Sequence, residues 1–113
     1  NPAFDAMVEA DIVLVLAGKK ETSGYKQGEA RTRYGDWMLF DLGIATQNLS
    51  LAAHSEGLGS VIVGLFDHGK VEELLSVPAS HEAVTMIPIG VPVRIPKAPH
   101  RKEVSSWVHR DKW

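Results

Sequence analysis

The stretch "DWMLFDLGIATQNLSLAAHSE", residues 36–56, constrains this chain more than any other. Asp36 has a side chain that accepts amide hydrogen bonds at a helix start. Gly57 can take the left-handed conformation that ends a helix, so the pattern predicts one long helix between them. Its apolar residues, from Trp37 through Leu42 and Ile44 to Leu51 and Ala53, cover more than the single stripe of a surface helix. The helix is therefore expected to be buried on several sides. A chain of 113 residues holds one core and little material to surround such a helix. It belongs either at the centre of a larger domain or in an extensive subunit interface.

The remaining elements are read around it. Phe4, Met7 and Val8 stand at helical spacing, and "IVLVLA", 12–17, is β-branched and apolar on both faces, as in a buried strand. Residues 18–35 are polar, contain four glycines and show no periodicity, which predicts a long surface loop of the kind that serves as a lid or binding loop. "SVIVGL", 60–65, reads as a second strand. Asp67 caps a short helix whose Val71, Leu74 and Leu75 face the core, ending before Pro78. The third strand is "AVTMIPIGVPV", 83–93, where Pro88 and Pro92 remove ladder donors and suggest an edge, a bulge or a strand end. "KEVSSWV" in the basic tail allows a turn of helix. Helices and strands in this order give an α+β fold, a central sheet with helices packed around it.

Composition removes several chemistries. There is no cysteine, hence no disulfide, thiolate metal site or cysteine nucleophile, and a reducing, cytoplasmic setting is compatible. A formal charge of −2 argues against non-specific nucleic-acid binding. No apolar run approaches the ~20 residues of a membrane span. The five histidines lack metal-ligand spacing and no serine sits in G-x-S-x-G, so neither a metal site nor a hydrolase elbow is expected. Glu72 and Glu73 lie early in the short helix, where a solvated role complementing the helix dipole is expected.

"GLGSVIVGLFD", 57–67, is not a dinucleotide fingerprint, because its glycines end a helix and lead into a strand, the reverse of the required order. No G-K-[ST] follows, which removes the P-loop. Gly57 and Gly59 turn the chain. Gly64 stands at a strand end before a capped helix, where a missing side chain permits either a bulge or the approach of a ligand to the backbone. The stretch "RIPKAPHRK" carries Arg94, Lys97, Arg101 and Lys102 between stiffening prolines, and fits either a solvated tail or a phosphate grip.

Taken together, "DLGIATQNLSLAAHSEGLGSVIVGLFD", a strand ending "IGVP", and "RKEVSSWVHRDKW" resemble the C-terminal part of the nitroreductase family of flavin enzymes. The resemblance runs from about Ile12 to Trp113. It implies a nitroreductase-like three-layer fold, a homodimer with helical contacts, and FMN bound at the subunit interface. It implies ping-pong transfer of reducing equivalents from NAD(P)H to a nitroaromatic, quinone or similar small-molecule acceptor, with the flavin carrying the chemistry. By position, Ile62, Val63, Gly64 and Leu65 correspond to the family's strand end beside the flavin ring. Arg101 corresponds to its phosphate-gripping basic residue, with Lys102 assisting. No catalytic side chain, metal, nucleic acid or membrane is implied. The family's opening Arg/Ser-rich segment, a further helix and an Asn-bearing loop are not among these residues, so 1–113 is expected to form a single domain lacking its N-terminal third. A non-catalytic dimerisation or binding module with an incomplete flavin site is the alternative reading.

Overall fold

The structure is a computed structural model and describes residues 3–113. A short helix α1 (Phe4–Glu9) leads into β1 (Ile12–Lys19). A hairpin of β2 (Tyr25–Lys26) and β3 (Glu29–Ala30) follows, then the long helix α2 (Met38–Ser55). β4 (Gly59–Ser60), α3 (His68–Leu74) and β5 (His81–Gly90) complete the body, and a 3-10 turn at Val104–Ser106 lies in the tail. β1, β5 and β4 form one antiparallel sheet in that order, and all three helices pack against it. The expected α+β architecture is thus observed.

Several expectations are corrected by contacts distant in sequence. β5 is the central strand, although it contains Pro88, which was expected to mark an edge, bulge or strand end. Val61 donates to the Pro88 carbonyl, but proline has no N–H to return, so the pairing on that side is interrupted. The strand expected at 60–65 is accordingly reduced to Gly59–Ser60 and one further bridge between Val63 and Met86. Its register is continuous nonetheless: Gly59 faces Gly90, Ser60 faces Ile89 and Val63 faces Met86. The loop at 18–35 contains the hairpin, closed by Gln27 and Gly28, both at positive φ (55° and 78°), the requirement of a type I′ turn.

The long helix lies where expected but is not buried within this chain. Met38, Thr46 and Ala53 are its buried residues, while Leu39, Phe40, Ile44 and Leu51 are exposed. The strand at 12–17 is likewise largely exposed, and Leu74 and Leu75 face solvent rather than the core. The core is small: Val63, Ala83 and Ile87 with Met38 and Ala53. A radius of gyration of 17.3 Å exceeds the roughly 13 Å of a compact domain of this length, so the chain is a flattened, open body with an extended tail.

Local rules hold better. Gly57 has φ +76° and Leu58 N–H bonds back to the Ala53 carbonyl, a glycine-terminated helix end. Asp67 caps α3 by accepting the Lys70 N–H at 3.1 Å. Asp36 stands one residue before the N-cap, Trp37, yet its carboxylate accepts from Met38 N–H at 2.9 Å and from Glu21 N–H at 2.6 Å. It therefore fastens the hairpin to the start of α2.

Candidate functional site

The geometry of the sheet points two segments toward one end. β1 and the 59–63 segment both run antiparallel to β5, hence parallel to each other, and both head toward the end where β5 begins, β1 as far as His81 and the other segment only as far as Met86. β1 delivers the hairpin there, with Lys19 opposite His81. The other segment delivers Gly64 and Leu65, just past Val63. One strand separates the two segments laterally, about 10 Å at the usual interstrand spacing, and the register adds an offset of about 15 Å along β5 between Met86 and His81.

Of the site residues expected from sequence, Val63 is buried and locked by reciprocal bonds with Met86, both 2.9 Å, and its carbonyl also accepts from Thr85 Oγ1 at 3.0 Å. Strand alternation then turns the peptide groups of Ile62 and Gly64 away from β5. Ile62 and Leu65 are exposed, and nothing lies within 4 Å of where a Cβ would stand on Gly64. The result is a flat, apolar backbone edge, braced behind by the Val63 pairing.

Arg101 and Lys102 lie in the extended tail, fully outside the body, with no ion pair or hydrogen bond to any described residue. No hydrogen bond or ion pair joins them to Ile62, Val63 or Gly64. The structure thus presents two separate candidate groups, an edge and a pair of available cations. The main concavities include neither. One of about 680 Å³ lies between the hairpin, the start of α2 and the turn before β5, lined by Lys20, Tyr25, Asp36, Met38 and Ser80 among others. Another of about 510 Å³ runs along α2 beside Phe40, Gly43, Ile44 and Gln47. Both are open clefts, and the 62–65 edge is an open wall that would need a second wall to become a pocket.

On the other side of the edge, α3 completes β5. A bulge after Leu16 leaves Val84 without a partner on β1 while Ala83 stays opposite Ala17, and beyond the Val63–Met86 bridge the Ala83 peptide groups are taken by side chains. Glu72 accepts the Ala83 N–H and the His68 ring bonds the Ala83 carbonyl, each at 2.8 Å. Glu72 is therefore a structural brace and not the solvated dipole partner expected from sequence. The bond from Lys70 N–H, helped by the Lys70 ammonium, holds the exposed Asp67 carboxyl below its ordinary pKa. Among the described residues no group of His, Asp and Glu could hold a metal ion, and no helix is long and apolar enough to cross a membrane.

Sequence reading missed the aromatic row at the base of the hairpin. Tyr34 meets Trp37 edge-on at 6.5 Å, Trp37 meets Phe40 edge-on at 5.0 Å, and the Arg33 guanidinium stands 5.0 Å from the centre of the Tyr34 ring. The spacing of three residues between the rings was the available signal.

The sequence model of the Nitroreductase family matches residues 1–91. A Methanothermobacter thermautotrophicus protein with the provisional name NADH dehydrogenase/NAD(P)H nitroreductase is 36% identical over 83 residues, 70% of this chain and 42% of that protein. The crystal structure of a nitroreductase family protein from Streptococcus pneumoniae superimposes with a TM-score of 0.81 at 17% identity, over 97% of this chain and 69% of that one. Oxidised iodotyrosine deiodinase, solved with FMN and 3-iodo-L-tyrosine, gives a TM-score of 0.72 at 23% identity, over 96% and 50%. The chain spans about two fifths of the length of the curated relative.

Proposed function

The chain belongs to the nitroreductase family, and from that premise we propose that it serves an FMN-dependent oxidoreductase, drawing reducing equivalents from NAD(P)H and passing them to a nitroaromatic, quinone or similar acceptor. The observation that carries this reading is the edge at Gly64. Its backbone is open where a side chain would stand, apolar neighbours flank it, and the preceding residue is fixed by the sheet.

These residues fit a flavin in kind. Ile62 and Leu65 offer apolar surface to a planar ring, and the outward amide of Gly64 offers a donor to a ring atom that gains charge on reduction. Arg101 and Lys102, without partners in this chain, suit a terminal phosphate, which guanidinium binds bidentately. FMN, when bound, supplies hydride acceptance from NAD(P)H and onward reduction of the acceptor in two alternating half-reactions. The chain's own part is to hold the ring against the 62–65 edge, grip the phosphate from the tail and keep competing water off the apolar wall.

The reading also includes a homodimer in a cytoplasmic setting. Leu39, Ile44 and Leu51 leave an 18-residue helix apolar and uncovered, and a second copy would both cover it and supply the opposing wall of the pocket. The test is the absorbance of the purified full-length protein. A yellow flavin spectrum bleached by NADH or NADPH and restored by a nitroaromatic is expected. A colourless protein that free FMN does not reconstitute would overturn the reading in favour of a non-catalytic module.

A further inference from the structure

The hairpin that leaves β1 differs from the rest of the chain in charge and in side-chain type. Residues 19–33 carry five basic against two acidic side chains, in a chain whose overall charge is −2. One of the bases, Arg31, is neutralised by Glu29 at 3.5 Å, whereas Arg33 has no carboxylate partner. Its guanidinium lies 5.0 Å from the centre of the Tyr34 ring. Tyr34 is 70% exposed and Phe40 is 59% exposed, with the half-buried Trp37 between them.

This row is held rigidly. Asp36 ties Glu21 to Met38 through both carboxylate oxygens, Trp37 N–H donates to the Ser23 carbonyl, and the Trp37 indole N–H donates to Thr32 Oγ1. Arg31 N–H closes the hairpin base on the Gly24 carbonyl at 2.8 Å. Gly24 itself is at φ +75° against Trp37, where an added Cβ would stand 2.7 Å from the indole. Trp37, fixed in this manner, loses little side-chain freedom when a ligand stacks on it, and Tyr34 and Phe40 rest edge-on against it.

We infer that the Arg33–Tyr34–Trp37–Phe40 row is the recognition surface for the electron acceptor, and that the class it selects is a flat aromatic ring bearing an acidic group such as a carboxylate. The inference rests on the oxidoreductase reading for the word acceptor, and on the row itself for the ligand class. Aromatic rings present faces on which an electron-poor ring stacks, and the unpaired guanidinium at the end of the row meets an anion. The row is delivered where β1 ends, toward the end of the sheet that the Gly64 edge faces, offset from that edge across β5 and by about five residues along it.

The experiment titrates 4-nitrobenzoate and nitrobenzene into the purified full-length protein and reads quenching of tryptophan fluorescence. The Trp37→Phe variant separates Trp37 from Trp107 and Trp113. Saturable quenching that disappears in Trp37→Phe is expected. Arg33→Gln should weaken 4-nitrobenzoate about five- to tenfold while leaving nitrobenzene within about twofold, the signature of one charge contact. Tyr34→Leu should weaken both ligands about threefold. In turnover, Arg33→Gln should raise KM for 4-nitrobenzoate by the same factor while leaving KM for nitrobenzene within about twofold. Equal affinity of 4-nitrobenzoate for wild type and Arg33→Gln would overturn the inference, as would quenching that survives Trp37→Phe undiminished. Fluorescence binding does not depend on NAD(P)H oxidation, so a protein that binds as expected but carries no flavin refutes the oxidoreductase reading and leaves the ligand class standing.

Discussion

The Glu72 carboxylate accepts the backbone N–H of Ala83 at 2.8 Å, so that a helix side chain occupies the place a fourth strand residue would take. Together with His68 on the Ala83 carbonyl, it closes β5 beyond the Val63–Met86 bridge, where the 59–63 segment no longer pairs with it. Ala83 is 1% exposed, so loss of this acceptor strands a buried donor. Glu72→Ala should destabilise the fold by about 2 kcal/mol, the range for hydrogen bonds to charged groups. Glu72→Gln, which keeps an acceptor oxygen, should recover most of it. Urea denaturation of the three proteins measures the difference, and equal midpoints for Ala and wild type would contradict the brace.

Gly18 is a matter of volume. A Cβ there would overlap Met38 Cγ and stand 2.6 Å from its sulfur. Met38 is buried and anchors α2 on the sheet beneath the hairpin. Gly18→Val should cost about 1–3 kcal/mol by overpacking, and Gly18→Ala less, because the thioether can swing aside. Thermal unfolding orders the three. A Val variant as stable as wild type would mean that α2 docks elsewhere.

The α3 cap responds to pH. Because the folded pKa of Asp67 lies below its ordinary value of 3.8, its contribution is complete above that value and is lost as pH falls through the lower, folded pKa. Asp67→Asn keeps a capping oxygen without the charge. Acidification from pH 5 to pH 3 should therefore cost wild type more stability than Asp67→Asn, as read by far-ultraviolet circular dichroism during urea unfolding. The same loss in both would place the acid sensitivity in other carboxylates.

Arg101→Ala should weaken FMN about tenfold or more in the full-length protein, and Lys102→Ala less, since only a guanidinium makes two parallel bonds to a phosphate. Riboflavin, which lacks the phosphate, should bind wild type and Arg101→Ala alike. Flavin fluorescence quenching measures both affinities, and an unchanged FMN affinity removes Arg101 from the site.

What the sequence disclosed follows the range of the forces involved. The Asp67 cap and the Gly57 stop are settled within a few residues, and both stand as read. The early end of the second strand depends on Pro88 of the facing strand, which no local window contains. The brace from Glu72 depends on Ala83 of the next strand, eleven residues on. The hairpin escaped notice because its turn is Gln27-Gly28, and glutamine at positive φ is an uncommon choice where asparagine would have announced the turn. The exposure of α2 follows from its all-round apolar pattern set against 113 residues that leave little to surround it, whereas the pattern does not name what covers it. For the candidate site, Gly64 stood out through its flanking elements, whereas Arg33, Tyr34, Trp37 and Phe40 became a unit only once their rings were seen to touch.

The parallel exit of β1 and the 59–63 segment on either side of β5 has one further consequence. The offset between the hairpin and the Gly64 edge is fixed by the register of both segments on β5, a ruler of peptide hydrogen bonds that side-chain substitution does not stretch. The residues of the hairpin can therefore be exchanged without moving the edge.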